Sequence, residues 1–214
     1  MKKSARYIAD VIINIVIVAS TVLAIVLYFF SGPDNLGSQG VDCFKYFTTD
    51  SNVVAFVASL LYIIFRLKGN VPKWVRVFKF VGTVAVTLTF LTVVFFLVPT
   101  SAIFGGGGLR VALFFFKGNV FVLHFSTPVL SIISTCFLEK DFPITKKQAL
   151  WGLVPTAVYA AVYAIMVIVV KRWYDWYGFT FGGRFELAPV AIIGMLLVTL
   201  AIALVERLIR NKKR

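Results

Sequence analysis

Residues 120–138 read VFVLHFSTPVLSIISTCFL, and this apolar segment, which contains the single histidine of the chain, indicates the fold. It carries no Asp, Glu, Lys or Arg, and it is close to the roughly 20 helical residues that cross a bilayer. Helical steps of three, four and seven residues return to one face. One face of this helix is therefore expected to be polar: His124, Thr127, Ser131, Ser134 and Thr135.

Pro128 follows His124 by four residues and has no backbone N–H. In an α-helix it therefore leaves the carbonyl of His124 without its usual donor, and a kink is expected nearby. Ionisable groups at membrane depth usually face the bundle interior and mark functional sites. Alternatively, His124 bonds a neighbouring helix and stabilises packing.

The composition indicates a multi-pass membrane protein. Of 214 residues, 60% are hydrophobic, well above the roughly 45–50% of soluble domains. The net charge of +13 lies in the connections between apolar segments and forms no basic, aromatic-lined face, which argues against a nucleic-acid partner. Cys43 and Cys136 are expected at opposite membrane faces. With one histidine and no C-x-x-C pair, we expect no metal site, and we expect no cofactor.

The hydropathy pattern predicts an all-α polytopic bundle in a single domain, 1–214. Six transmembrane helices are expected at about 8–30, 45–66, 75–98, 119–138, 148–170 and 187–209. With six helices the connections alternate sides, and sixteen Lys and Arg residues fall on the side of both termini, against six on the other side. Because cytoplasmic connections are enriched in Lys and Arg, both termini are predicted to be cytoplasmic.

The second apolar segment is too short to span a membrane alone. From Val53 to Phe65 it has thirteen residues, against the roughly 20 that are needed. The helix can cross only if the polar cluster of residues 48–52, TTDSN, lies within it. Several of these side chains must then face the bundle interior. The alternative is a short helix that begins at an Asp50 or Ser51 N-cap.

The predicted topology brings a hydroxyl and an imidazole to the same depth. Thr48 lies about four residues into the second helix, roughly 6 Å deep, and His124 about five residues into the fourth, roughly 7 to 8 Å deep. Both helices enter from the outer face. Thr48, Ser51 and Asn52 share a helical face, whereas Asp50 points elsewhere.

Residues 45–52, KYFTTDSN, together with residues 124–130, HFSTPVL, resemble the androgen-induced protein family. That family includes the androgen-dependent regulator of tissue factor pathway inhibitor and bacterial six-helix homologues. Its members hydrolyse fatty acid esters of hydroxy fatty acids with a membrane-embedded threonine and histidine. The resemblance implies that Thr48 is the nucleophile and His124 the base, that the substrate is a lipid or fatty-acyl ester, and that the chain lies in a prokaryotic cell membrane. One departure concerns the pocket, because Tyr177-Gly178-Phe179 lacks the proline of many members.

The expected chemistry is acyl transfer. A threonine hydroxyl is a weak nucleophile until a base accepts its proton, and histidine titrates in the required range. Candidate oxyanion donors or pocket residues are Ser51, Asn52, Thr127 and Ser131. A substrate carboxylate could meet one of three cations, each of which also fits an ordinary interfacial role: Arg110, Lys117 and Arg184.

The rival hypothesis is a membrane protein without catalytic activity. A lipid-binding or small-molecule transport protein would also place Thr48 and His124 in a polar cavity. Transporters often contain paired broken helices and inverted repeats. The sequence shows neither, although Pro128 supplies one break.

Overall fold

The structure is a computed structural model that describes residues 5–31, 39–99, 113–139 and 141–212. Within these residues the chain is helical and has no β-strand. Six of the described helices are long and apolar enough to span a membrane, so the chain is an integral, multi-pass membrane protein. They are α1 (Ala5–Phe30), α2 (Phe47–Leu67), α3 (Lys73–Leu97), α4 (Gly118–Leu138), α5 (Lys146–Val169) and α6 (Phe185–Asn211). The predicted all-α six-helix architecture is confirmed.

The start of α2 decides between the two interpretations of the polar cluster. The helix begins at Phe47 and runs to Leu67, so residues 48–52 lie within its first turns. The alternative of a short helix capped by Asp50 or Ser51 is therefore wrong. Thr49, Ser51 and Asn52 are fully buried, as expected of polar groups that must avoid lipid.

Helix α3 lies at the centre of the bundle. All residues from 79 to 89 are buried, so other parts of the chain surround this stretch. Small residues permit close packing against α2: a Cβ atom on Gly82 would lie 3.0 Å from the Cα atom of Ala55. This tight contact fixes α2, which carries Thr48, against the central helix.

The bundle has two distinct ends. We call the end that holds the start of α1 and the end of α6 the terminal end, and the opposite end, where α2 and α4 begin, the site end. At the terminal end, the Arg6 side chain donates to the carbonyl of Leu138, and the Asn211 amide donates to the carbonyl of Ile144. The start of α1 therefore lies beside the end of α4, and the end of α6 lies beside the start of α5.

Residues 170–184, here the site-end loop, fold back onto the bundle. The carboxylate of Asp175 accepts hydrogen bonds from the Tyr163 hydroxyl, from the backbone N–H groups of Phe179 and Thr180, and from the Thr180 hydroxyl. Burial acts to raise the pKa of Asp175, but these hydrogen bonds together lower it below its usual value. Asp175 thus organises the loop that covers the site.

Candidate functional site

Thr48 and His124 are hydrogen-bonded across the interface of α2 and α4. The distance from Thr48 Oγ1 to His124 Nε2 is 3.1 Å. The prediction that the two side chains approach to hydrogen-bonding distance is therefore confirmed. Both residues are half-buried, and the Phe115 ring packs edge-on against the imidazole at 5.6 Å between centroids.

A backbone carbonyl fixes the orientation and the tautomer of the imidazole. His124 Nδ1 lies 2.8 Å from the carbonyl oxygen of Val120, which can only accept, so Nδ1 carries the hydrogen. In the neutral ring Nε2 is then the acceptor, and the Thr48 hydroxyl donates to it. The Val120 carbonyl thus occupies the position that a carboxylate fills in a Ser-His-Asp triad.

The helix around His124 is wound as a π-helix from Val122 to Ser126, which ends two residues before Pro128. A π-turn pairs each N–H with the carbonyl five residues earlier. The carbonyl that Pro128 leaves without that donor is therefore Leu123. It accepts a hydrogen bond of 2.9 Å from the side-chain amide of Asn52. The π-turn thus adds Leu123 to the carbonyls without a helical donor, and the expectation that the carbonyl of His124 lacks its usual donor stays a prediction.

Asn52 and Ser51 both bond the backbone of Thr48. The Asn52 amide donates to the Thr48 carbonyl at 2.8 Å and to Leu123. Ser51 donates to the same Thr48 carbonyl at 3.1 Å, and its hydroxyl pairs with that of Thr89. The hydrogens of Ser51 and Asn52 therefore already have acceptors. In this arrangement both candidate oxyanion donors hold Thr48 in place.

The polar face predicted for α4 is present and buried. Thr127, Ser131, Ser134 and Thr135 are each at most 3% exposed. The Thr127 hydroxyl pairs with that of Thr21 at 2.8 Å. Within the described part of the chain the Ser131 hydroxyl has no hydrogen-bond partner. Thr127 therefore lies in the interface with α1, and Ser131 lies one turn further along the stripe.

Thr48 lines an apolar cavity of about 360 Å³ at the site end. Its walls come from α2, α3, α5, α6 and the site-end loop: Phe47, Leu88, Thr89, Thr92, Val93, Phe96, Leu97, Tyr159, Tyr177, Gly178, Phe179, Phe181, Ala191, Met195 and Val198. His124 is not part of the wall. A molecule bound in the cavity would therefore lie beside Thr48, among side chains suited to an acyl chain.

The three cations proposed to meet a substrate carboxylate do not line this cavity. Arg110 lies outside the described residues. Lys117 and Arg184 are exposed, and neither is in the wall. Asp50 points away from the cavity, as expected, into a groove of about 910 Å³ between α2, α3 and α5.

A buried ionic network at the terminal end was missed by the sequence analysis. Glu139 pairs with Arg210 at 3.2 Å, with Arg76 at 3.4 Å and with Lys79 at 3.5 Å. Lys79 also lies 3.8 Å from Asp10. Asp10 lies in α1, Arg76 and Lys79 lie in α3, Arg210 lies in α6, and Glu139 directly follows α4. The network therefore ties four helices together.

Polar neutral groups complete the network. Asp10 accepts hydrogen bonds from the Tyr62 hydroxyl of α2 and from Ser134 of α4. Ser134 in turn accepts from Lys79 at 2.7 Å and from Asn14 at 2.8 Å. The expectation that all charges lie in the connections is wrong for Lys79 and Arg210, which are buried within helices.

One feature of the sequence could have indicated this network, namely the helical spacing of polar and charged residues. Asp10 and Asn14, and likewise Glu206 and Arg210, are four residues apart and so share one face of their helices. Asp10 and Glu206 fall inside the predicted helices 8–30 and 187–209, where a charged group needs a partner. Of these four residues only Arg210 contributes to the count of Lys and Arg that predicts the topology, and it is buried.

Among the residues that the structure describes, no group of three His, Cys, Asp or Glu side chains is arranged to hold a metal ion. The described site therefore consists of Thr48, His124, the groups that position them and the apolar cavity. No protein-family model, curated protein or solved structure matches the chain.

Proposed function

We propose that this protein is an intramembrane lipid ester hydrolase in which Thr48 is the nucleophile and His124 the general base. The observation that carries the proposal is the hydrogen bond of 3.1 Å between Thr48 Oγ1 and His124 Nε2, with Nδ1 held by the Val120 carbonyl. A nucleophile, a base within hydrogen-bonding distance and a group that orients the base form the arrangement that activates hydroxyls in hydrolases.

The reaction would proceed in two halves. The Thr48 oxygen attacks the ester carbonyl while its proton passes to His124 Nε2. Collapse of the tetrahedral intermediate breaks the bond to the alcohol, which leaves with that proton. Water then attacks the acyl-threonine ester and gives one proton to His124. That proton returns to Thr48 as the carboxylic acid is released.

The cavity supports a substrate with a long apolar chain. Its wall is built mainly of Leu, Val, Phe and Met side chains, and Thr48 is one of its few polar residues. An acyl chain would bury apolar surface there while its ester group lies at Thr48. Fatty acid esters of hydroxy fatty acids, the substrates implied by the resemblance, satisfy this description. That resemblance alone is also our reason for assigning the chain to a prokaryotic cell membrane.

The ionic network favours hydrolysis over transport. A transporter exposes its site alternately to both sides of the membrane, which requires opening at both ends. At the terminal end, Asp10, Lys79, Glu139 and Arg210 are each at most 2% exposed and tie four helices together. Breaking buried ion pairs is costly. This arrangement suits a bundle that admits its ligand at the site end alone.

Hydrolysis by purified protein tests the proposal. Wild type should release hydroxy fatty acid from a long-chain ester of this class, and Thr48→Ala should abolish release. His124→Ala should lower kcat by about 100- to 10,000-fold, the range for loss of a general base. Equal rates for wild type and Thr48→Ala, or no turnover of several lipid esters, would favour the lipid-binding or transport alternative.

Thr199→Ala is the matched control. Thr199 is a buried threonine of α6 whose hydroxyl donates to the Met195 carbonyl at 2.8 Å, and it does not line the cavity. The same substitution at this position should leave kcat per folded molecule within about twofold of wild type, because Thr199 takes no part in the proposed reaction.

A further inference from the structure

The proposed reaction needs a donor for the carbonyl oxygen, which becomes negatively charged when Thr48 attacks. Ser51 and Asn52 already give their hydrogens to the backbone around the site. A donor must therefore come from another group that faces the cavity. Such donors are usually backbone N–H groups or side-chain hydroxyls held in place before the reaction.

Tyr177, in the site-end loop, brings a hydroxyl to the start of α2. Its oxygen accepts a hydrogen bond of 3.2 Å from the backbone N–H of Phe47, the residue before Thr48. An oxygen that accepts keeps its own hydrogen, so the hydroxyl can still donate. Tyr177 and Thr48 line the same cavity. Burial raises the pKa of Tyr177 to about 12, so the hydroxyl retains its proton at neutral pH.

The peptide N–H of Thr48 is a second donor at the same place. The next two N–H groups, those of Thr49 and Asp50, bond the Tyr46 carbonyl. Within the described ranges, the N–H of Thr48 has no hydrogen-bond acceptor. First-turn N–H groups point toward the start of the helix, where the helix dipole favours negative charge. Here they point in the direction of Tyr177.

We propose that the Tyr177 hydroxyl, together with the backbone N–H of Thr48, forms the oxyanion hole of this enzyme. The inference rests on the proposed hydrolase function and assigns a catalytic role to the site-end loop. When Thr48 Oγ1 attacks, the carbonyl π electrons move onto the ester oxygen, which accepts both hydrogen bonds. No proton is transferred from Tyr177. The bonds weaken again when the intermediate collapses.

The loop is built to hold Tyr177 in this position. Its backbone N–H bonds the Tyr163 hydroxyl at 3.2 Å, and that hydroxyl donates to Asp175. The Tyr177 ring also packs against those of Tyr163 and Phe179, with centroids 5.4 and 5.9 Å away. A donor that is fixed before the reaction stabilises the developing charge without reorganisation.

The test compares Tyr177→Phe with Tyr174→Phe in the full-length protein. Tyr174 lies in the same loop but is 81% exposed, so it should remain neutral. Tyr177→Phe should lower kcat by on the order of 100-fold, as expected for loss of one oxyanion donor, with KM changed less than about threefold. A kcat within threefold of wild type would overturn the assignment.

A second readout separates catalysis from folding. Sulfur is a weak hydrogen-bond acceptor, so a thionoester analogue of the substrate gains little from an oxyanion hole. Wild type should prefer the oxoester, and Tyr177→Phe should reduce this preference by at least about tenfold. The ratio does not depend on the amount of folded enzyme. An unchanged ratio would contradict the role of Tyr177 alone, whereas no turnover by wild type would overturn the hydrolase proposal and this inference together.

Discussion

Asn52 on α2 donates a hydrogen bond of 2.9 Å to the carbonyl of Leu123 on α4. The same amide donates to the carbonyl of Thr48 at 2.8 Å. One side chain therefore connects the backbone of the candidate nucleophile to the residue before the candidate base. These two hydrogen bonds align α2 with α4, and this alignment places Thr48 Oγ1 3.1 Å from His124 Nε2.

Asn52→Asp should be more damaging than Asn52→Ala. Aspartate has a similar shape but offers no N–H groups, so it brings negative charge toward two carbonyl oxygens. Loss of the buried hydrogen bonds should cost about 1–3 kcal/mol in either variant, and the charge adds to this in aspartate. Thermal unfolding and ester hydrolysis should both show the order wild type, Asn52→Ala, Asn52→Asp.

Asn211→Ala is the control for a purely structural effect. At the terminal end, Asn211 also connects two segments: its amide donates to the Ile144 carbonyl at 2.8 Å and its oxygen accepts from the Ile144 N–H at 2.9 Å. This variant should lose stability but retain kcat. If Asn52→Ala and Asn211→Ala lowered kcat equally, the role of Asn52 in aligning the pair would be refuted.

Glu139→Ala should strongly destabilise the bundle without changing the chemistry. The substitution leaves Lys79, Arg76 and Arg210 near one another without their shared carboxylate. Removal of one partner from a buried ion pair costs about 3–5 kcal/mol. The melting temperature should fall, while kcat per folded molecule should stay near that of wild type. A stable but inactive variant would instead indicate that the network takes part in function.

The site-end loop should lose its order only at acidic pH. Because the folded pKa of Asp175 is lowered, its contribution to stability is complete above the ordinary pKa of about 3.9 and is lost as pH falls through the folded value. Fluorescence of Trp173 and Trp176, which lie in the loop, should be constant from pH 7 to pH 5 and change below about pH 4. Asp175→Asn should show no such transition. A transition near pH 6 that persists in Asp175→Asn would argue against this role.

The orientation in the membrane follows from the charge count of sixteen against six. Asn70, between α2 and α3, should face the cytoplasm, and Ser31, after α1, should face outward. Both are exposed, whereas the native Cys43 and Cys136 are buried. A membrane-impermeant thiol reagent added from outside should label Ser31→Cys and not Asn70→Cys. The opposite labelling would invert the topology.

The number of helices and the shared depth of Thr48 and His124 could be predicted because both depend on spacing along the chain, whereas the pairing of the two residues was implied by the family resemblance. Apolar length sets the helices, and equal depth brings Thr48 to the level of His124. The polar stripe on α4 followed from the same helical period. These features need no knowledge of which helices are neighbours.

Partners that come from other helices could not be predicted. Glu139 meets Arg76 and Arg210 only because α3, α4 and α6 pack together at the terminal end. The π-turn likewise leaves the carbonyl of Leu123 without a helical donor, which a regular α-helix could not indicate. Tyr177 reaches Phe47 through a loop whose fold depends on Asp175, 128 residues beyond Phe47 in the chain.

Covalent labelling of Thr48 tests the central claim most directly. A long-chain fluorophosphonate should phosphonylate the Thr48 oxygen with loss of fluoride and a proton, and mass spectrometry of the labelled peptide identifies the modified residue. We predict one adduct, on Thr48, that forms on wild type and Thr199→Ala, forms slowly on His124→Ala and is absent from Thr48→Ala. Labelling of Thr48→Ala to the same extent as wild type, or an adduct on another residue in its place, would contradict the account.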